Sequence, residues 1–121
     1  MLLLKDKTVE YQGLADEMLY ALGIATALKW RMYNRDNVLT SGLDGTHNPG
    51  SLHPKGLAVD LRCLDLTDQE AVAWYHATRA LLEPVGFDIV FEGGVGATPV
   101  TTGAHMHIEF DPKGRQFWHY A

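Results

Sequence analysis

The chain has 121 residues, of which 46% are hydrophobic and 21% are charged, a balance that is typical of a single globular domain and excludes a disordered chain. The formal net charge is −5, which disfavours nucleic acid and anionic membrane as partners, because both require a basic, phosphate-neutralising surface. The apolar run at Met1–Leu4 is too short for a signal peptide, and no stretch of 18 apolar residues occurs. We therefore expect a soluble protein without signal peptide or membrane span.

The first half of the chain is predicted to contain one long helix and two strands. Between Gly13 and Tyr33, apolar residues recur at steps of three and four, which predicts an amphipathic helix with Leu14, Met18, Ala21, Ala25, Leu28 and Met32 on its apolar face. A short β-prone run at 38–41 precedes a glycine-rich loop at 42–56. The next strand, 57–62, places Ala58, Asp60 and Arg62 on one face by alternation.

The second half is predicted to contain a capped helix and two further strands. Thr67 and Glu70 form a capping box, which opens a helix that extends to about Pro84 and buries Ala71, Trp74, Thr78, Leu81 and Leu82. An apolar strand at 87–91 ends in Glu92, a loop rich in glycine and threonine at 93–103 is a candidate lid, and the last strand covers 105–110. The predicted fold is a single α+β domain over residues 1–121, with two main helices on a small, mostly antiparallel sheet.

The first chemical signal is a loop histidine, His53, seven residues before Asp60. A carboxylate on an otherwise apolar strand is costly to bury unless it is paired or binds a metal. A structural aspartate bonded to backbone amides or to Arg62 is the alternative.

The chain has one cysteine, Cys63, which excludes an intramolecular disulfide and a multi-cysteine zinc site. We expect Cys63 to be a buried small side chain and not a nucleophile.

The second signal is the pair His105 and His107, which share one face of the last strand because they are two residues apart. Two imidazoles and one carboxylate are a common ligand set for catalytic zinc, and the pair gains weight from the His53 and Asp60 motif. Of the other histidines, we expect His76 on a solvated helix face and His119 in a packed aromatic tail. His47, in the glycine-rich loop, is either a site residue or an ordinary loop residue.

These two motifs, Ser51-x-His53-x-x-Gly56-x-Ala58-x-Asp60 and His105-x-His107, resemble those of the D-Ala-D-Ala metallopeptidase group. Related members are the L-alanyl-D-glutamate endopeptidase endolysins of phages and, more distantly, lysostaphin-like enzymes and the hedgehog signalling domain. The resemblance covers residues 38 to 112. It implies a hedgehog-like fold, a Zn²⁺ cofactor with His53, Asp60 and His107 as ligands, and His105 beside the catalytic water or the transition-state oxyanion.

The resemblance leaves the general base and the substrate contacts to be assigned. Many members carry a glutamate three residues before the last ligand, but this chain has Ala104 there. Glu92, at the end of the preceding strand, is similar to the hedgehog-type arrangement, and Glu109 is the competing candidate. Members of the group often carry an arginine in an upstream Ser-Gly-x-Arg turn, and this chain has Asp44 at that position. The candidate substrate-binding residues are therefore Ser51, Arg62 and His47. Arg35 is a further candidate to take the place of the arginine.

The function implied by the resemblance is hydrolysis of the peptide stems of bacterial peptidoglycan. Zinc would polarise the scissile carbonyl and lower the pKa of its water to about 7, Glu92 would transfer the proton, and His105 would stabilise the oxyanion. Carboxypeptidase and endopeptidase action both stay open. A phage lytic enzyme, made in the cytoplasm and acting on the cell wall, is the expected setting. The alternatives are a catalytically inactive zinc-binding interaction module and a phage structural or assembly protein without metal.

Overall fold

The computed structural model describes residues 1–44, 50–92 and 105–111. Within them the chain forms two α-helices and five strands, which run in the order β1 (Leu2–Leu4), α1 (Asp16–Tyr33), β2 (Asn37–Ser41), β3 (Ala58–Arg62), α2 (Asp68–Leu82), β4 (Phe87–Glu92) and β5 (His105–Phe110). Short 3₁₀ turns at His53–Lys55 and Glu83–Val85 precede β3 and β4. The predicted α+β class with two main helices is confirmed.

The sheet has the strand order β1-β2-β3-β5-β4, and it is mixed instead of mostly antiparallel as predicted. β1 runs parallel to β2, while the β2–β3, β3–β5 and β4–β5 pairs are antiparallel. A parallel pair requires a crossover connection, usually a helix, and α1 supplies it between β1 and β2. The prediction was wrong because the three-residue strand β1 carries too little alternation to be detected from the sequence.

The predicted capping box at the start of α2 is confirmed. The Thr67 hydroxyl accepts a hydrogen bond from the Glu70 backbone N–H at 3.1 Å, and the Glu70 carboxylate accepts one from the Thr67 backbone N–H at 2.9 Å. Ala71, Trp74, Thr78 and Leu82 are buried as expected. Leu81 is 51% exposed, so its predicted burial was wrong, because its neighbour Leu82 occupies the core-facing position of the last turn.

Helix α1 buries Met18, Ala21 and Ala25, as its spacing predicts, but its last turns differ from the prediction. Met32 is exposed, and the buried position is taken by Lys29, one turn after Ala25. The Lys29 ammonium lies 3.0 Å from the Asp65 carboxylate and 4.9 Å from the centre of the Trp74 ring. These partners offset the cost of removing the charge from water.

The central strands β3 and β5 determine which polar side chains meet at the sheet. Their register places Asp60 opposite His107 and Arg62 opposite His105. On the other edge of β5, Glu92 of β4 pairs with His105, which confirms the predicted pairing of these strands across the 93–103 loop.

In the part of the chain that the structure describes, no helix combines the length and apolar composition needed to cross a membrane.

Candidate metal centre

Three residues from separate parts of the chain meet beside the central strands. His53, Asp60 and His107 each place one potential ligand atom within 4.8 Å of the others. All three residues are buried, with 4%, 8% and 8% of their surface exposed. The β3–β5 pairing aligns Asp60 with His107, and the 3₁₀ turn before β3 brings in His53.

The ring of His53 is oriented by the backbone of a distant loop. Its Nδ1–H donates to the Gly42 carbonyl oxygen at 2.7 Å, so the lone pair lies on Nε2. Nε2 is 3.4 Å from Asp60 Oδ2. Ser51 supports the same turn, because its hydroxyl accepts a hydrogen bond from the His53 backbone N–H at 3.3 Å. His53 is therefore positioned before any ligand arrives.

Two glycines allow the loops around His53 to pack closely. A Cβ atom on Gly42 would lie 2.1 Å from the Glu10 carbonyl oxygen, and one on Gly56 would lie 2.3 Å from the Gly13 carbonyl oxygen. Gly56 also has a φ of +73°, a conformation that side chains disfavour. The Gly56 carbonyl accepts the Ala15 backbone N–H at 2.9 Å, which docks the His53 turn onto the start of α1.

His107 lies between two carboxylates. Its Nδ1 is 2.9 Å from Asp60 Oδ1, and its Nε2 is 2.8 Å from Glu109 Oε1. The rings of His53 and His107 are 5.1 Å apart between centroids. Nδ1 of His107 thus faces the Asp60 carboxylate, and Nε2, on the opposite side of the ring, faces the Glu109 carboxylate.

These contacts shift the protonation of the cluster. Burial by itself lowers the pKa of His107, but hydrogen bonds to Asp60 and Glu109, together with nearby carboxylate charge, raise it to about 9. Burial opposes the charged form of His53 too, and Asp60 nevertheless brings its pKa above the usual value. Burial favours protonation of Asp60, yet the surrounding imidazoles hold its pKa below its usual range. At neutral pH the metal-free cluster therefore pairs an anionic Asp60 with a protonated His107.

The donor set of this cluster fits a metal ion. Two ligand atoms about 2.1 Å from a tetrahedral ion lie roughly 3.4 Å apart, which is the separation of His53 Nε2 and Asp60 Oδ2, 3.4 Å. The partner on His53 Nδ1 is a backbone carbonyl and that on His107 Nε2 is a carboxylate, the outer contacts that metal-bound histidines typically make. The cluster can hold a metal ion.

Glu92 and His105 lie at the open rim of the cluster. Glu92 Oε1 is 3.2 Å from His105 Nε2 and 3.3 Å from His107 Nδ1, and the Glu92 side chain is 50% exposed. His105 Nε2 also approaches Asp60 Oδ1 at 3.5 Å. Of the two glutamates predicted as possible bases, Glu92 faces the ligand-bearing side of His107, whereas Glu109 contacts the opposite ring nitrogen.

The predicted substrate-binding residues have different positions. Arg62 is half-buried and pairs with His105 in the sheet, which places it beside the rim. Ser51 contacts the His53 backbone, and His47 lies outside the described residues. Asp44, which follows Ser41, Gly42 and Leu43, accepts backbone hydrogen bonds from Gly42 and Glu10 at 2.8 and 2.9 Å. Asp44 therefore stabilises the loop whose carbonyl orients His53.

Sequence reasoning missed two contacts of the cluster. The Gly42 carbonyl was not predicted as the partner of His53, because a backbone acceptor eleven residues away leaves no side-chain signal. Glu109 was considered only as a base. It lies two residues after His107 and therefore on the same strand face, and this spacing was the signal that could have identified it as a partner of His107.

Cys63 is buried, and burial raises the pKa of its thiol to about 11, which matches its expected inert role.

Comparison with known proteins gives no match to a family model and none to a curated protein.

Proposed function

We propose that this chain is a zinc-dependent peptidase that hydrolyses the peptide stems of bacterial peptidoglycan. The observation that carries the proposal is the buried cluster of His53, Asp60 and His107 next to the exposed carboxylate of Glu92. The three candidate ligands are buried, and the Glu92 carboxylate, the candidate proton acceptor, is exposed at the rim. This division is typical of hydrolytic metal sites with three protein ligands.

Zinc is the metal that this ligand set favours. Imidazole nitrogens suit zinc, copper, iron and nickel, and a set of two histidines and one carboxylate is common in zinc hydrolases. His53 Nε2, His107 Nδ1 and a carboxylate oxygen of Asp60 would hold the ion. When bound, zinc supplies Lewis acidity that polarises a carbonyl and activates water near neutral pH.

Glu92 and His105 carry the proton and charge steps of the proposed reaction. Glu92 Oε1 takes a proton from the attacking water and returns it to the nitrogen of the leaving amine. Glu92 Oε1 lies 3.2 Å from His105 Nε2, so the proposed base and the proposed oxyanion donor are adjacent. His105 donates from Nε2 to the oxyanion that develops on the scissile carbonyl.

The substrate class rests on the resemblance of the two histidine motifs to the D-Ala-D-Ala metallopeptidase group. Peptidoglycan stems present D-amino acids and free carboxylates, and Arg62 beside His105 is suited to bind a carboxylate. Carboxypeptidase and endopeptidase action require the same metal and base. They differ in how many residues of the substrate follow the cleaved bond.

The experiment incubates the zinc-loaded protein with purified peptidoglycan and identifies the released fragments by mass spectrometry. We expect cleavage next to a D-amino acid, and loss of cleavage after chelation with recovery on adding zinc. Asp60→Asn is the control, since it retains the shape of the side chain but removes the charge that binds the metal. Zinc binding without any turnover would refute the peptidase and leave a metal-binding interaction module as the function.

A further inference from the structure

Strand β5 carries three ionisable side chains close to one another. His105, His107 and Glu109 occupy alternate positions and therefore the same face of the sheet. His105 and His107 approach Asp60 and Glu92, and Glu109 lies beyond them along the strand. Its carboxylate oxygen Oε1 lies 2.8 Å from Nε2 of His107, the ring nitrogen on the side opposite Asp60.

We propose that Glu109 is the positioning residue of the metal centre: it holds His107 with its proton on Nε2, so that Nδ1 faces Asp60 as the ligand atom. The inference rests on the proposed function because it requires His107 to bind the metal. A neutral imidazole has one N–H donor and one acceptor nitrogen. The Glu109 carboxylate oxygen lies 2.8 Å from Nε2 and accepts a hydrogen bond there, so Glu109 selects the tautomer with Nε2–H.

The position of Glu109 is well suited to this role. β5 is an interior strand, and its register pairs Glu109 with Ala58 on one side and Asp88 on the other. The Glu109 side chain is 28% exposed, against 50% for Glu92, so water competes less for its carboxylate. A distance of 2.8 Å is typical of a charge-assisted hydrogen bond. The strand thus fixes the donor ring and its acceptor together.

The two glutamates therefore have separate tasks. Glu92 reaches His107 on Nδ1, the nitrogen that also faces Asp60, and it is the more exposed of the two. Glu109 contacts the opposite nitrogen of the same ring, Nε2, and acts through His107. Removing Glu109 should change how tightly the metal is held, whereas removing Glu92 should change how fast bound substrate reacts.

The test measures zinc affinity by competition with a chelating dye at one fixed pH for wild type, Glu109→Ala and Glu109→Gln. Loss of the outer partner of a metal-bound histidine typically weakens metal binding about 10–100-fold, and we expect this loss in Glu109→Ala. The amide oxygen of glutamine still accepts the Nε2–H hydrogen bond, so Glu109→Gln should recover most of the affinity. Circular dichroism of the metal-free variants checks that they are folded.

Asp88→Ala is the matched control for charge. Asp88 lies opposite Glu109 in the β4–β5 register and belongs to the same acidic group with Asp111. Its removal takes one negative charge from the neighbourhood while leaving the Glu109–His107 hydrogen bond in place. We expect near wild-type zinc affinity in Asp88→Ala. A loss as large as that of Glu109→Ala would overturn the proposal, because general electrostatics would then explain the effect.

Nitrogen-15 NMR of the zinc-bound histidine rings gives a readout that simple destabilisation does not move. We expect His107 to bind zinc through Nδ1 and to carry its proton on Nε2 in wild type and in Glu109→Gln, and this preference to weaken in Glu109→Ala. Zinc bound through Nε2 of His107 in wild type would refute the role of Glu109 while leaving the metal centre intact. Absence of zinc binding in wild type would refute the proposed function itself.

Discussion

Raising the pH from 7 to 8 should tighten zinc binding about tenfold. His107 has a pKa of about 9 in the metal-free protein, and its Nδ1 proton must leave before that nitrogen can bind a metal. The apparent dissociation constant is multiplied by one plus the ratio of protonated to neutral His107. With a pKa of about 9, this factor is roughly 100 at pH 7 and roughly 11 at pH 8.

Two titrations measure this linkage. Competition with a chelator whose own pH dependence is known gives the affinity at each pH. Calorimetry in two buffers of different ionisation enthalpy gives the number of protons released. His107 alone should release about one per zinc at pH 7, and His53, whose pKa is also raised, adds to this number. An affinity that stays constant from pH 7 to 8, or binding that releases no proton, would refute the assignment of His107 as the ligand.

The same shifts predict how the stability of the metal-free protein depends on pH. The pKa of His107 is raised in the folded state from 6.5 to about 9, so its contribution is fully present below pH 6.5 and is lost as the pH rises to 9. Asp60 has a lowered pKa, so its contribution is lost as the pH falls into the acid range. The Tm of the metal-free protein should decline between pH 6.5 and 9 in thermal melts, and a rising Tm would contradict the shift.

Three substitutions and one control variant test the proposed base, the packing around His53 and the buried charge of Lys29. Glu92→Gln should lower kcat by about 10²–10⁴ while zinc content stays at the wild-type level, and unchanged kcat would move the base elsewhere. Gly42→Ala should cost about 1–3 kcal/mol and weaken zinc binding, because its Cβ would clash with the Glu10 carbonyl. Gly23→Ala in α1 is its control and should stabilise by about 0.5–1 kcal/mol, since nothing lies within 4 Å of the added Cβ. Lys29→Ala should lower the free energy of unfolding in urea by about 3 kcal/mol, and a loss below about 1 kcal/mol would show that the buried charge is not stabilising.

The candidate site was more predictable than its surroundings because its residues lie on regular elements. Alternation places His105 and His107 on one strand face, and the turn that ends in Gly56 leads directly into the strand of Asp60. The pairing of Glu92 with His105 followed from the two strands that flank the 93–103 loop. In each case a local pattern carried the information.

The features that were missed depend on contacts distant in the sequence. Lys29 occupies a helix position that apolar periodicity alone would give to a hydrophobic residue, and its burial depends on Asp65, 36 residues further along the chain. Strand β1 exists because β2 offers it an edge after the α1 crossover. The Gly42 carbonyl meets His53 only when the Gly42 loop has packed against Glu10 and the Gly56 turn has packed against Gly13. Such contacts leave no trace in local sequence patterns.

The most direct test of the metal centre is an anomalous-difference map recorded at the zinc edge from crystals grown with zinc. We expect one ion per chain, with His53 Nε2, His107 Nδ1 and an Asp60 carboxylate oxygen at about 2.0–2.2 Å. A zinc ion bound by His105 with His107 turned away, or no peak at this cluster, would contradict this expectation.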